Sequence, residues 1–237
     1  ELSKLNGSPT IKPPISYASN ISCNFNKSFL VPWRFIVESG DAIIFNSNFV
    51  KKTYENNFKD KTKLHVIPRG VDTDYFSPSK EKPVGKNIFI PSRISSWKGH
   101  ELLLNYFLLL ERKYRDSFNI HLVSLNKSKE EKKIQLLINK LNISKKIIIH
   151  KPTLDVKKLY QGAYLVVNIS KRPEGFGRTI SETLSLSKVI IAPNQGGTKE
   201  QLFNFNKNLL FDVNSFKSFQ KTLKYALKNY EAISKKG

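Results

Sequence analysis

With 237 residues and a net charge of +21, from 40 Lys and Arg against 19 Asp and Glu, the chain is strongly cationic and long enough for one large domain, or one domain and part of another. Its single cysteine, Cys23, excludes an intramolecular disulfide, and four histidines without a cysteine cluster argue against a structural zinc site. No apolar run is long enough to cross a bilayer, and no signal peptide is visible. Met is absent throughout, position 1 included, which reads as a processed or truncated piece of a longer protein. The cationic excess either serves an anionic partner (nucleic acid, anionic lipid or a phosphorylated substrate) or is solvated surface.

Residues 1–32 hold Gly7, Pro9, Pro13, Pro14 and Pro32 with weak periodicity and read as irregular. Over 33–40, Trp33, Ile36 and Val37 share a helical face. A short buried strand follows at 41–45, and Asn46-Ser47 caps a helix over about 48–58. Another strand at 64–67 ends at Pro68, and Gly70 and Asp72 are turn residues of the next loop. Phe76-Ser77-Pro78 and residues 80–85 read as linker, so a boundary falls near 68–86. It divides the chain into 1–80, a small first domain with its linker, and 81–237.

From there strands and helices alternate. Strands are expected at 87–91, 119–125, 147–150, 163–169, 189–192 and 209–211, and helices at 99–115, 128–142, 154–161, 178–187, 198–204 and 215–231. The alternation predicts an α/β fold with a doubly wound parallel sheet. Ligands of such sheets bind outside the carboxyl ends of the strands. The loops at 68–72, 92–99, 150–152, 171–177 and 193–198 all fall there.

The most informative loop lies within 171–182, K-R-P-E-G-F-G-R-T-I-S-E. Gly175 and Gly177 let a ligand approach the backbone, and the helix start favours an anion. Glu174 and Glu182 flank that helix start. Carboxylates do not hold phosphate, but they accept hydrogen bonds from sugar hydroxyls beside one. Equally, Arg178 and Glu182 stand four apart and read as a surface ion pair, and Gly-x-Gly alone reads as a turn. Arg93 and Lys98, before a helix opening at Gly99, suit a diphosphate or are merely solvated. Gly196-Gly197-Thr198 is a second Gly-rich turn, plain or offering N–H groups to an anion or sugar.

Four segments together resemble the C-terminal, nucleotide-sugar-binding half of the GT-B glycosyltransferases of family 4: I-P-R-G-V-D-T-D-Y-F (67–76), S-R-I-S-S-W-K-G (92–99), P-E-G-F-G-R-T-I-S-E (173–182) and P-N-Q-G-G-T-K-E (193–200). The resemblance covers about 41–231, and Glu174 and Glu182 match the family's E-x7-E pair. The form R-P-E-G-F-G-R-T looks most like enzymes of bacterial lipopolysaccharide or related envelope glycans. The resemblance implies a Rossmann-like donor domain behind part of an N-terminal Rossmann domain. It further implies retaining transfer of a hexose from a UDP- or GDP-linked sugar to a glycan or lipid-linked acceptor, without metal or further cofactor. Arg93 and Lys98 would hold the diphosphate, and Glu174 would bind donor-sugar hydroxyls. Gly175, Phe176 and Gly177, with Gly70, Gly196, Gly197 and Thr198, would line the donor. Glu182 would bind the ribose, and His150-Lys151-Pro152 would lie by the nucleobase.

The departures are an N-terminal part of about 85 residues, without a Gly-rich loop and without a histidine before His65. They imply a truncated copy that transfers poorly by itself. The alternatives are a basic nucleic-acid-binding protein and a non-catalytic GT-B relative. Against nucleic acid stand the lack of a recognition motif and lysines that read as scattered rather than striped. The implied location is cytoplasmic, with the basic surface suited to peripheral contact with anionic lipid on the inner face of the cytoplasmic membrane.

Overall fold

The computed structural model describes Val37, residues 39–79, Pro83 and residues 85–124, 128–153 and 155–237. The expectations for 1–32, for most of 33–40 and for most of the 80–85 linker lie outside these residues. The chain divides between Arg69 and Gly70 into two compact units.

In the first unit, β1 (Ile43–Phe45) pairs in parallel with β2 (Leu64–Val66). Ser47, in extended conformation, accepts the Val50 N–H at 3.1 Å and so starts α1 (Asn48–Tyr54). The helix stops before the expected residue 58 and tightens into a 3-10 turn at Glu55–Asn57. That turn brings Phe58 edge-on to Phe45, with ring centroids 6.1 Å apart.

The second unit is built on a six-stranded parallel sheet in the order β5-β4-β3-β6-β7-β8. The strands are β3 (Lys86–Arg93), β4 (Phe118–Val123), β5 (Ile147–His150), β6 (Leu165–Val167), β7 (Val189–Pro193) and β8 (Leu210–Phe211). β6 and β7 are buried along their whole length, as strands covered on both faces must be. The helices are α2 (His100–Leu109), α3 (Arg112–Ser117), α4 (Lys129–Lys140), α5 (Val156–Gln161), α6 (Arg178–Ser185), α7 (Gly196–Asn206), α8 (Phe216–Lys228) and α9 (Tyr230–Ser234).

Helices α2, α4 and α8 cover one face of the sheet. Tyr106 of α2 meets Phe216 and Phe219 of α8 at 5.6 and 5.3 Å, and α2 lies against α4. The other face carries α5, α6 and α7. Tyr160 of α5 stands edge-on to Phe89 at 5.2 Å and reaches Glu182 of α6, which lies against α7. This is the doubly wound arrangement that right-handed crossovers produce. Strand order reverses between β3 and β6, so the loops after these two strands flank the crevice at the switch point.

Three expectations change. The Leu-rich helix over 99–115 is two helices, because Leu110 and Glu111 adopt extended ψ values of 151° and 142°. The break buries Leu110 and brings Glu111 onto Lys224 of α8. The final helix is interrupted at Asn229. Phe76, read as the start of a linker, is buried in the core of the second unit, edge-on to Tyr160 at 6.0 Å. Phe76→Ala should therefore lower stability by about 3 kcal/mol, the usual cost of truncating a buried phenylalanine. The urea unfolding transition measures it, and a change under about 0.5 kcal/mol would put Phe76 on the surface.

Candidate functional site

β6 runs into Asn168-Ile169-Ser170, and the loop over 171–177 then turns into α6. Asn168 and Ser170 are two apart at the strand's carboxyl end and so share a side. Both donate to one oxygen of Glu174: Asn168 Nδ2 at 3.0 Å and Ser170 Oγ at 2.5 Å from Oε1. Lys98 Nζ, from the loop after β3, donates to the same Oε1 at 2.8 Å and stands 4.2 Å above the Trp97 ring centre. Burial pushes the Glu174 carboxyl up, but the Lys98 charge and the hydrogen bonds from Lys98, Ser170 and Asn168 outweigh it and hold the pKa below the ordinary 4.5. Glu174 is thus a fixed carboxylate. Its Oε2 takes no hydrogen bond among the described residues.

Two close approaches hold the loops in place. Gly99 has φ +76°, and a Cβ there would fall 2.0 Å from the Ile169 carbonyl oxygen. Beside it the Lys171 N–H donates to the Trp97 carbonyl at 2.7 Å. A Cβ on Gly197 would fall 2.5 Å from the Gly175 carbonyl oxygen, and the Gly197 N–H donates to the Glu174 carbonyl at 2.8 Å. Read from sequence, that amide is a candidate donor to a ligand; in the structure it serves the neighbouring loop. Gly196 and Gly197, expected as a turn, form the first residues of α7. Thr198 is buried and donates to the Gln195 carbonyl at 2.7 Å. Gln195 reaches the Ser170 carbonyl at 2.9 Å, and Gln201 the carbonyls of Phe176 and Gly177 at 2.5 and 3.2 Å. Phe176 is buried beneath the loop.

Both Glu182 oxygens are occupied. Tyr160 donates to Oε2 at 2.6 Å, and Arg178 lies 3.0 Å from Oε1. Burial and the neighbouring carboxylate push the Tyr160 hydroxyl well above its usual range, so it stays a neutral donor. Arg178 is 63% exposed and its pairing is a surface one.

The structure thus joins Lys98, Glu174, Gly175, Phe176, Gly177, Gly196, Gly197 and Thr198 in one cluster, with Glu182 on the adjoining helix. Arg93, His150, Lys151 and Pro152 lie at the same edge of the sheet outside that hydrogen-bonded cluster. Arg93 is exposed at the end of β3, and Lys151 and Pro152 are exposed beyond β5. His150 Nε2 lies 2.9 Å from His121 Nδ1, and burial depresses both imidazoles. Gly70 is exposed, with open space where a side chain would stand.

Asn168, Ser170, Tyr160, Gln195, Gln201 and His121 are contributors that sequence reasoning misses. Only Asn168 and Ser170 carry a local signal, as polar residues closing an apolar run. Among the described residues no group of three His, Cys, Asp or Glu is placed to hold a metal ion. The crevice beside Lys98 and Glu174 is narrow, about 10 Å³. A wider cavity, about 370 Å³, lies at the opposite edge of the sheet by Lys86, Tyr114, Phe118 and Tyr164. The convergence of charge and hydrogen bonds, not volume, makes the crevice the candidate site.

His100 opens α2 beneath the Lys98 loop, 1% exposed, with Nε2 3.2 Å from the Ser92 carbonyl oxygen. Burial lowers its pKa from 6.5 to about 4. Unfolding releases that constraint, so its contribution is complete above about pH 6.5 and is lost as pH falls towards about 4. The second unit should lose about 3 kcal/mol over that window, and His100→Phe should remove this part of the pH dependence. Denaturant titrations at stepped pH measure both. Lys98→Met should raise the Glu174 pKa above its ordinary value, because burial is then opposed by two neutral donors alone. Side-chain carboxyl NMR titration reads this, and an unmoved Glu174 would refute the dominance of the Lys98 charge over burial.

The model of the family described as Glycosyl transferases group 1 matches residues 72–236. An uncharacterized glycosyltransferase of Methanocaldococcus jannaschii is 27% identical over 179 residues, covering 71% of this chain and 43% of that protein. A glycosyltransferase from Rickettsia africae ESF-5 superposes with a TM-score of 0.73 at 29% identity, over 90% of this chain and 60% of the other. Anabaena HepE in complex with UDP and glucose shares the fold with a TM-score of 0.75 at 18% identity, over 89% and 60% of the two chains. The chain therefore spans less than half the length of the curated relative and 60% of each solved structure. The family match extends over nearly all of the second unit, including every loop that builds the crevice, and the chain belongs to the glycosyl transferases group 1 family.

Proposed function

We propose that the second unit binds the nucleotide-sugar donor of a retaining glycosyltransferase that moves a hexose from a UDP- or GDP-linked donor to a glycan or lipid-linked acceptor in cell-envelope or lipopolysaccharide synthesis. One observation carries the reading: Glu174 Oε1 is held by three donors while Oε2 takes no hydrogen bond among the described residues, beside a lysine at the switch-point crevice. A sugar hydroxyl needs such a preorganised acceptor. The UDP and glucose bound in the Anabaena neighbour support the same ligand class.

In this reading Oε2 accepts from donor-sugar hydroxyls. Lys98 and the exposed Arg93 meet the diphosphate, and the backbone of Gly175, Phe176 and Gly177 lines the sugar and phosphate. Glu182 accepts from the ribose, with Tyr160 orienting its carboxylate. His150, Lys151 and Pro152 lie on the nucleobase side. As the C–O bond to the leaving diphosphate breaks, its electron pair passes to the phosphate oxygen. Cations already positioned there stabilise the developing charge without reorganisation. The acceptor hydroxyl attacks the anomeric carbon from the same face and passes its proton to that leaving oxygen, and the anomeric configuration is retained. The two cations take the part a metal ion plays elsewhere, so the reaction needs no metal. The cationic surface suits an enzyme working peripherally at the inner face of the cytoplasmic membrane.

Isothermal titration with UDP- and GDP-sugars tests the reading. Lys98→Ala and Glu174→Ala should each weaken donor binding at least tenfold, about 1.4 kcal/mol or more, and Glu182→Ala by a similar factor. Absence of binding, or affinities indifferent to these three changes, would reject it.

A further inference from the structure

Eight of the lysines, scattered along the sequence, stand on α4 and α8 on one face of the sheet. In α8, Lys217, Lys221, Lys224 and Lys228 are spaced four, three and four apart, which lines them along one side of a helix. All four are exposed, opposite the buried Phe219, Thr222, Leu223 and Ala226. Glu111 bridges Lys224 and Lys113. Lys217, Lys221 and Lys228 have no ion-pair partner among the described residues. On the same face α4 exposes Lys129, Lys132, Lys133 and Lys140. Helices α2, α4 and α8 together carry eight lysines against three glutamates, whereas α5, α6 and α7 on the other face carry four cations against two glutamates. The two exposed leucines among the described residues, Leu109 at 60% and Leu136 at 69%, also lie on α2 and α4.

We propose that this face, with the α8 stripe at its heart, docks on an anionic phospholipid bilayer. Four or more lysines on an amphipathic helix are the footprint of headgroup attraction, and leucines among them gain from contact with the acyl boundary. A nucleic-acid surface of this size would present aromatic planes for stacking and arginines for phosphate and base edges. The exposed aromatic side chains among the described residues, Tyr75 and Phe203, are elsewhere; α2, α4 and α8 hold no arginine, and Arg112 and Arg115 of the neighbouring α3 are engaged by Asp116 and the Leu108 carbonyl. Lysine point charges suit phosphates that move laterally beneath them. The inference builds on the peripheral placement proposed above and is independent of donor binding.

Vesicle sedimentation without nucleotide sugar tests it on the whole chain. Vesicles of phosphatidylcholine mixed with phosphatidylglycerol should bind the protein, less so as salt rises, and phosphatidylcholine alone should not. Combining Lys217→Gln, Lys221→Gln and Lys228→Gln should weaken partitioning on the order of a hundredfold, and Lys221→Gln alone about fivefold. Combining Lys157→Gln, Lys158→Gln and Lys199→Gln on the opposite face removes the same charge and should cost several-fold at most. Equal losses in both triple variants, binding indifferent to lipid charge, or tighter binding of an oligonucleotide than of the vesicles at matched salt would overturn the proposal. An unchanged circular dichroism spectrum and unchanged UDP- or GDP-sugar affinity in the α8 variant separate loss of this surface from misfolding or failure of the donor reading.

Discussion

The candidate site depends on keeping one buried carboxylate ionised. Glu174 sits where burial alone would protonate it, and the Lys98 ammonium with two neutral donors reverses that preference. The three donors come from the end of β6 and from the loop after β3, on either side of the strand-order reversal. Holding the charge therefore also holds two loops in register. A buried ion pair is weak as a source of stability but strict about geometry, because losing either partner strands the other charge.

Backbone contact makes that geometry rigid. Gly99 lies against the Ile169 carbonyl and Gly197 against Gly175 and Phe176, at separations no side chain allows. Gln195 and Gln201 tie the same segments through carbonyls. The second Gly-rich stretch thereby acts as a wedge beneath the first. Packing of this kind gives Glu174 Oε2 a fixed place in the crevice.

The two faces of the sheet have different characters. One holds Tyr160 and Glu182, coupled to the crevice through α5 and α6. The other concentrates lysine on α4 and α8. In a doubly wound sheet the crevice lies at the strand ends, so either face can meet a partner without blocking it.

Much of this was legible in the chain. The apolar runs at 163–169 and 189–192, alternating with amphipathic segments, specify a parallel sheet, because strand and helix periodicities are local properties. The order of the motifs places their loops at one edge, and a strand-to-helix loop that begins a helix is readable from Pro173 to Arg178. The lysines of α8 read as scattered in the chain, and their four-three-four spacing becomes a surface stripe only when Phe219 and Leu223 face the core. Other features had no local signal. Which amides remain available, that Gly197 serves Glu174, that Tyr160 occupies Glu182 and that His121 stands beside His150 all follow from packing between segments distant in sequence. Sequence by itself determined the elements, their order and the residue types at the strand ends. Tertiary structure alone decided which donors converge on which oxygen, because a hydrogen bond depends on ångström-scale distance and direction that no spacing along the chain encodes.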